Sequence, residues 1–147
     1  MTEFLVAGIP LLLLLLATAQ LSLLWIGKGA VDTAAHLAAR KLARSARLDF
    51  RKAREAAFAE AVATCRNRPG GSLGSVALTT LDITTERDRG IDRASAGDAL
   101  RLRLTHGVEL IVPWIDRILY SLSPGEKRRL GNRYYLMLRS ERWLTVE

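Results

Sequence analysis

Hydrophobic and polar positions divide this chain into an uncharged N-terminal segment and a longer region in which charged and apolar residues are interspersed. Residues 4–26 form a run of 23 residues without a charge. About 20 apolar residues span a bilayer, and at ~1.5 Å rise per residue this run covers roughly 35 Å. A cleavable secretory signal has a shorter apolar run and a basic start, whereas Glu3 makes this start acidic. We therefore predict a retained transmembrane helix.

The helical pattern continues beyond this segment. Small apolar side chains recur every four residues, which predicts a buried stripe suited to close packing of another helix or a sheet. We predict one continuous helix from near Phe4 to near Cys65, roughly 85–90 Å long at ~1.5 Å per residue. The Pro-Gly-Gly sequence at 69–71 would end it. The stripe consists of Ala30, Ala34, Ala38, Leu42, Ala46 and Phe50.

Arginines recur at steps of four and three on the opposite face of this predicted helix. Such a stripe, like the net charge of +7, favours contact with acidic faces of neighbouring subunits or with lipid head groups. The alternative is a basic surface that is simply solvated. A basic face can also hold nucleic acid, but no aromatic residues interleave with this one. We expect contact with protein or lipid and no nucleic-acid binding. The stripe comprises Arg40, Arg44, Arg47, Arg51 and Arg54.

The C-terminal half is short and mixed. Alternation of leucine with polar residues over 100–105 predicts a half-buried strand, and the composition of 75–84 favours another. Residues 108–122 are predicted to form a helix with Pro113 near its start, and 133–138 a final strand, with 143–146 as its candidate extension. The helix would carry one apolar face, made of Ile111, Trp114, Ile115, Ile118 and Leu122.

These elements predict an α+β fold: a very long N-terminal α-helix, transmembrane in its first half, packed on a small antiparallel sheet with one additional helix, as in a pilin. The predicted parts are a transmembrane anchor at 1–28, an amphipathic continuation of the helix at 29–68 and a small α+β domain at 69–147.

Catalytic and metal-binding patterns are weak. Cys65 is the only cysteine, and His36 and His106 have no Cys, His or carboxylate at ligand spacing. Gly70-Gly71 lacks the Lys-Ser/Thr of a phosphate-binding loop. We predict no enzyme, no metal, no cofactor and no small-molecule substrate.

Polar side chains inside the apolar segment have two interpretations. Thr18, Gln20 and Ser22 either bond their own helix backbone or bond across to a neighbouring helix. Glu3, at the edge of the segment, is costly in lipid unless it is paired. In a helical filament it could neutralise the N-terminal amine of the adjacent subunit; alternatively, it is exposed to water and favoured by the helix dipole.

Residues 1–12, Met-Thr-Glu-Phe-Leu-Val-Ala-Gly-Ile-Pro-Leu-Leu, resemble the start of the TadE-like minor pilins, or pseudopilins, of the tight-adherence (Tad) pilus system. Residues 97–104 and 110–113 are also similar to that family. The resemblance implies a structural subunit that takes part in assembling or priming a Tad-type pilus. It implies that Glu3, Phe4 and Pro10 pair subunits, and that the partners are other pilin-like subunits and the assembly machinery.

The same resemblance implies a single-pass protein of the bacterial inner membrane with its C-terminal domain in the periplasm, incorporated during assembly into an extracellular pilus. The positive-inside rule favours the opposite orientation, because Lys28, Arg40 and Lys41 follow the apolar segment. Pilin precursors carry a basic leader that supports the periplasmic orientation, which we adopt here. Two other classes remain: an inner-membrane scaffold of a secretion or pilus machine, and a membrane-tethered nucleic-acid binder.

Overall fold

The computed structural model describes residues 2–85, 91 and 93–147, with the backbone alone for residues 2–5. A long N-terminal helix packs on a four-stranded antiparallel sheet, which confirms the predicted α+β class. The elements are α1 (Thr2–Ser45), α2 (Phe50–Arg66), α3 (Leu73–Ala77), β1 (Thr80–Thr85), β2 (Ala99–Glu109), α4 (Ile115–Leu122), β3 (Lys127–Leu130) and β4 (Arg133–Thr145).

The sheet has the strand order β1-β2-β4-β3. Its two central strands pair along their whole shared length, from Ala99 opposite Thr145 to Glu109 opposite Tyr135. Leu100, Leu102 and Leu104 are buried, as their alternation with polar residues predicts. The predicted extension of the last strand is confirmed, because β4 continues to Thr145 without a break.

The predicted small-residue stripe of α1 lies in the core. Ala34 and Ala38 are completely buried, and so are Ala57 and Ala61 on α2. Side chains this small allow two helices to approach closely. The second half of α1 is therefore covered by α2 as well as by the sheet.

The prediction of one helix reaching Cys65 is wrong: α1 ends at Ser45 and the chain reverses before α2 begins at Phe50. The reversal brings the alanines of α2 onto those of α1, whereas a straight helix would leave both faces in water. Asp49 starts the new helix, since its carboxylate accepts a hydrogen bond from the backbone N–H of Lys52 at 3.0 Å. In the sequence, the signal for a new helix at this point was Asp49, a residue type that commonly caps helices, immediately before Phe50.

We expect Asp49→Ala to lower the midpoint of urea unfolding slightly, because α2 loses its N-cap. Asp49→Ser is the matched control, since a serine hydroxyl also caps a helix, and it should retain most of the stability. Equal losses in the two variants would contradict a capping role for this side chain. Hydrogen bonds from Lys52 lower the pKa of the Asp49 carboxyl, so the stability difference between the wild-type protein and Asp49→Ala should shrink in acid, where this carboxyl is protonated.

Two further boundaries differ from prediction. Residues 75–77 belong to α3 rather than to a strand, because Ser72 caps that short helix by accepting from the backbone N–H of Ser75. Val108 and Glu109 extend β2, pairing with Leu136 and Tyr135. Helix α4 therefore starts only at Ile115, after a loop that contains Pro113.

Candidate membrane and assembly site

Residues 6–19 of α1 are largely uncovered by the rest of the chain. Among the described residues, α1 is the one helix long and apolar enough to cross a membrane, and none of residues 6–19 is buried. Val6, Leu11 and Leu14 each expose more than two-thirds of their surface. An apolar surface of this size requires lipid or other protein around it.

The predicted assembly residues all lie near the N-terminal end of α1. Pro10 is exposed, and α1 continues through it. The backbone at Glu3 and Phe4 is helical, but their side chains lie outside the described part of the structure. Their roles in subunit pairing stay predictions.

Gln20 is the residue of this segment whose role the sequence did not indicate. It is completely buried, and its Oε1 accepts hydrogen bonds from the backbone N–H groups of Ile111 (3.1 Å) and Val112 (2.8 Å). Thr18 and Ser22 instead donate to carbonyl groups of their own helix. A lone amide among leucines was the only signal available, and it could not identify a partner 91 residues away.

The globular domain contacts α1 first through its sheet and then, closer to the N-terminus, through one loop. The sheet lies along α1 from Ala43 to Gly27. At one limit the carbonyl of Ala43 accepts a hydrogen bond from the N–H of Glu147. At the other limit Gly27 packs against Val108 so closely that an added Cβ would lie 3.0 Å from the Val108 side chain. The loop at 110–114 then extends a further two turns to Gln20. The domain therefore lies beside the C-terminal end of the uncharged segment.

The predicted arginine stripe does not form one surface, because the chain reverses between α1 and α2. Arg40 and Arg44 line a groove between the two helices, whose α2 wall includes Lys52. Arg51 and Arg54 line a second groove, between α2 and β1. All five arginines of the predicted stripe are exposed, so each groove keeps a basic rim, and contact with protein or lipid remains a prediction.

Two buried titratable groups are held in their neutral forms. Burial raises the pKa of the Cys65 thiol to about 11, which disfavours the reactive thiolate at neutral pH. Burial also lowers the pKa of His106 to about 4, and its Nδ1 lies 2.7 Å from the Thr79 hydroxyl. His36 is exposed. Within the described residues, no three His, Cys, Asp or Glu side chains are grouped to hold a metal ion.

The features of this molecule that bear on function are an uncovered apolar half-helix, a buried glutamine that ties a distant loop to it, and two grooves with basic rims. No protein-family model, curated protein or solved structure matches the chain.

Proposed function

We propose that this chain is a pilin-like structural subunit that takes part in assembling or priming a Tad-type pilus, with the first half of α1 as its single anchor in the bacterial inner membrane. The observation that carries the proposal is the uncovered apolar surface of residues 6–19, on a helix that continues into the core of a small domain. Lipid covers such a half-helix before assembly, and the same half-helices of other subunits can replace the lipid in a filament.

The N-terminal sequence supports the same proposal. Glu3 precedes Phe4 at the edge of the uncharged segment, with Pro10 farther along, an arrangement that resembles TadE-like minor pilins. An unpaired carboxylate in an apolar filament core costs several kcal/mol. Pairing of Glu3 with the N-terminal amine of the next subunit would therefore select one axial register between subunits.

Glu3→Ala should leave the protein inserted and folded but remove it from the pilus, because the described core of the domain begins only at Val31 of α1. Glu3→Asp should assemble partly, since its shorter side chain reaches less far. The measurement is co-purification of the subunit with sheared filaments, normalised to its abundance in the membrane fraction. Glu55→Ala removes an exposed carboxylate on α2 and serves as the matched control. Normal assembly of Glu3→Ala would reject the role assigned to this carboxylate.

The proposal places the domain outside the cytoplasm. A phosphatase fused after Glu147, active only when exported, should therefore give a signal in cells. The control is a reporter that works only in the cytoplasm, fused at the same position, which should be silent. The reverse pattern would establish the orientation that the positive-inside rule favours.

A single-pass scaffold of a secretion or pilus machine is the second candidate. The observation that favours it is the attachment of the domain to the anchor through Gln20, which suits a protein that stays in the membrane. A scaffold would remain in the membrane fraction and be absent from sheared filaments, with or without Glu3. The filament assay above therefore separates the two candidates.

A further inference from the structure

Four large apolar side chains are exposed where the loop before α4, and α4 itself, meet α1. Ile111, Trp114, Ile118 and Leu122 expose 54%, 68%, 45% and 74% of their surface. We call these four residues the apolar collar. The sequence pattern placed them with Ile115 on one helix face, but of that set only Ile115 is buried. A cluster of large exposed apolar side chains marks a surface that something else covers.

Gln20 determines the position of the apolar collar along the axis of α1, which is called its height below. Its side chain holds the backbone of Ile111 and Val112, and it lies about 9 Å along the helix axis from Ile26, at ~1.5 Å per residue. At this height α1 is still apolar on its uncovered side, where Trp25 is 81% exposed. Whatever surrounds the end of the anchor therefore also contacts the collar.

Trp114 combines an exposed indole with an uncommon backbone conformation. Trp114 has φ 68°, a left-handed conformation that is uncommon for a residue other than glycine and persists only where the surroundings impose it. Tryptophan is enriched at the boundary between lipid and water, where its ring is apolar and its N–H finds polar partners. Trp25 and Trp114 both fit that environment.

Three basic side chains lie on α4 and β3 near the collar, together with one carboxylate, Asp116, in the first turn of α4. Arg117 on α4 and Arg129 on β3 are exposed. Lys127 donates from Nζ to the carbonyl groups of Tyr120 and Ser123, at the C-terminal end of α4. An exposed apolar helix face with cations beside it complements a layer of phosphate head groups over acyl chains.

We propose that the apolar collar is a membrane-contact site, seated in the head-group layer with Trp114 among the upper acyl chains. The apolar face of an interfacial helix is buried about 5–10 Å into the boundary between head groups and acyl chains, which agrees with the height of Gln20. Lipid is the occupant because the collar adjoins the anchor at the same height. This inference rests on the membrane anchoring in the proposed function, and on neither pilus assembly nor orientation.

The three tryptophans of the chain provide the test. Full-length variants that keep one tryptophan, with phenylalanine at the other two positions, are reconstituted into vesicles of phosphatidylcholine and phosphatidylglycerol. The phosphatidylcholine carries bromine, which quenches indole fluorescence, on the upper part of its acyl chains. Trp143 is the distant reference, because it pairs with Arg101 at the end of β2 remote from the collar. We expect Trp114 to be quenched about as strongly as Trp25 and several-fold more than Trp143.

Failure of the membrane-contact site and failure of the membrane anchoring give different results. If Trp25 is quenched and Trp114 behaves like Trp143, the collar faces water or another protein, and the inference is overturned while the anchor stands. If neither Trp25 nor Trp114 is quenched, the anchoring fails and the inference fails with it.

A second variant tests whether α4 contributes. Replacing both Ile118 and Leu122 by serine in the Trp114-only protein should reduce the quenching of Trp114 several-fold. In the Trp25-only protein the same change should have no effect, which also shows that the chain still inserts. Leu48→Ser is the matched control, since Leu48 is 89% exposed in the turn between α1 and α2. Unchanged quenching of Trp114 in the double variant would remove α4 from the site.

Discussion

Replacing Gln20 by leucine is expected to destabilise the contact between anchor and domain by about 2–4 kcal/mol. Leucine is apolar, like most residues of this segment, but it leaves the backbone N–H groups of Ile111 and Val112 without their acceptor. An unsatisfied buried donor costs about 1–3 kcal/mol, and both donors are partly buried here. Leucine also removes Nε2, a buried group with no partner among the described residues, which offsets part of the loss.

Amide hydrogen exchange in detergent micelles measures this effect directly. The amides of residues 111 and 112 should exchange roughly 30- to 700-fold faster in Gln20→Leu, as about 2–4 kcal/mol implies at 1.4 kcal/mol per factor of ten. Amides in the centre of β2 should change little, since the sheet does not depend on this contact. Thr18→Val is the matched control, because the Thr18 hydroxyl bonds only the carbonyl of Leu15 in its own helix. Equal exchange in Gln20→Leu and Thr18→Val would show that Gln20 does not hold the loop.

The stability of the domain should fall as the pH decreases from about 6.5 to about 4, with His106 as the main cause. Burial lowers the pKa of His106 from 6.5 to about 4, so between these values the unfolded chain binds a proton that the folded chain does not. The free energy of unfolding is therefore highest above pH 6.5 and falls toward pH 4. At about 1.4 kcal/mol per pKa unit, the loss is at most ~3 kcal/mol.

Thermal unfolding in detergent at a series of pH values tests this expectation. His106→Gln should abolish most of the change between pH 6.5 and 4.5, whatever its effect on stability at pH 7. His36→Gln is the control, because His36 is exposed, and it should keep the wild-type pH profile. Hydrogen bonds from Arg101 and Arg103 lower the pKa of Glu141 from its ordinary value of 4.5, so its contribution is lost mainly below pH 4.5, under the range compared here. A His106→Gln profile that matches the wild type would assign the pH dependence to other groups.

The candidate site was only partly readable from the sequence. The uncharged segment by itself predicts a helix long and apolar enough to span a membrane, because hydropathy depends on composition alone. Gln20 was recognised as polar, but its partners are backbone groups of a loop, and a backbone N–H leaves no mark in a sequence. Ile118 and Leu122 have the spacing of a core-facing helix, yet they are exposed. Spacing shows that a helix has an apolar face, not what covers it.

The sequence by itself determined the apolar first half of α1, the burial of alternate leucines in β2 and the small-residue face of α1, because each depends on a local run or period of hydrophobicity. Only the tertiary structure decided that α1 ends at Ser45, since the two alanine faces gain by packing on each other and no proline or glycine marks the turn. The reversal also divided the arginines between two grooves. The position of the domain along α1 was likewise decided by a long-range contact, because Gln20 accepts hydrogen bonds from a loop that follows β2. The pairing of β2 in the sheet positions that loop.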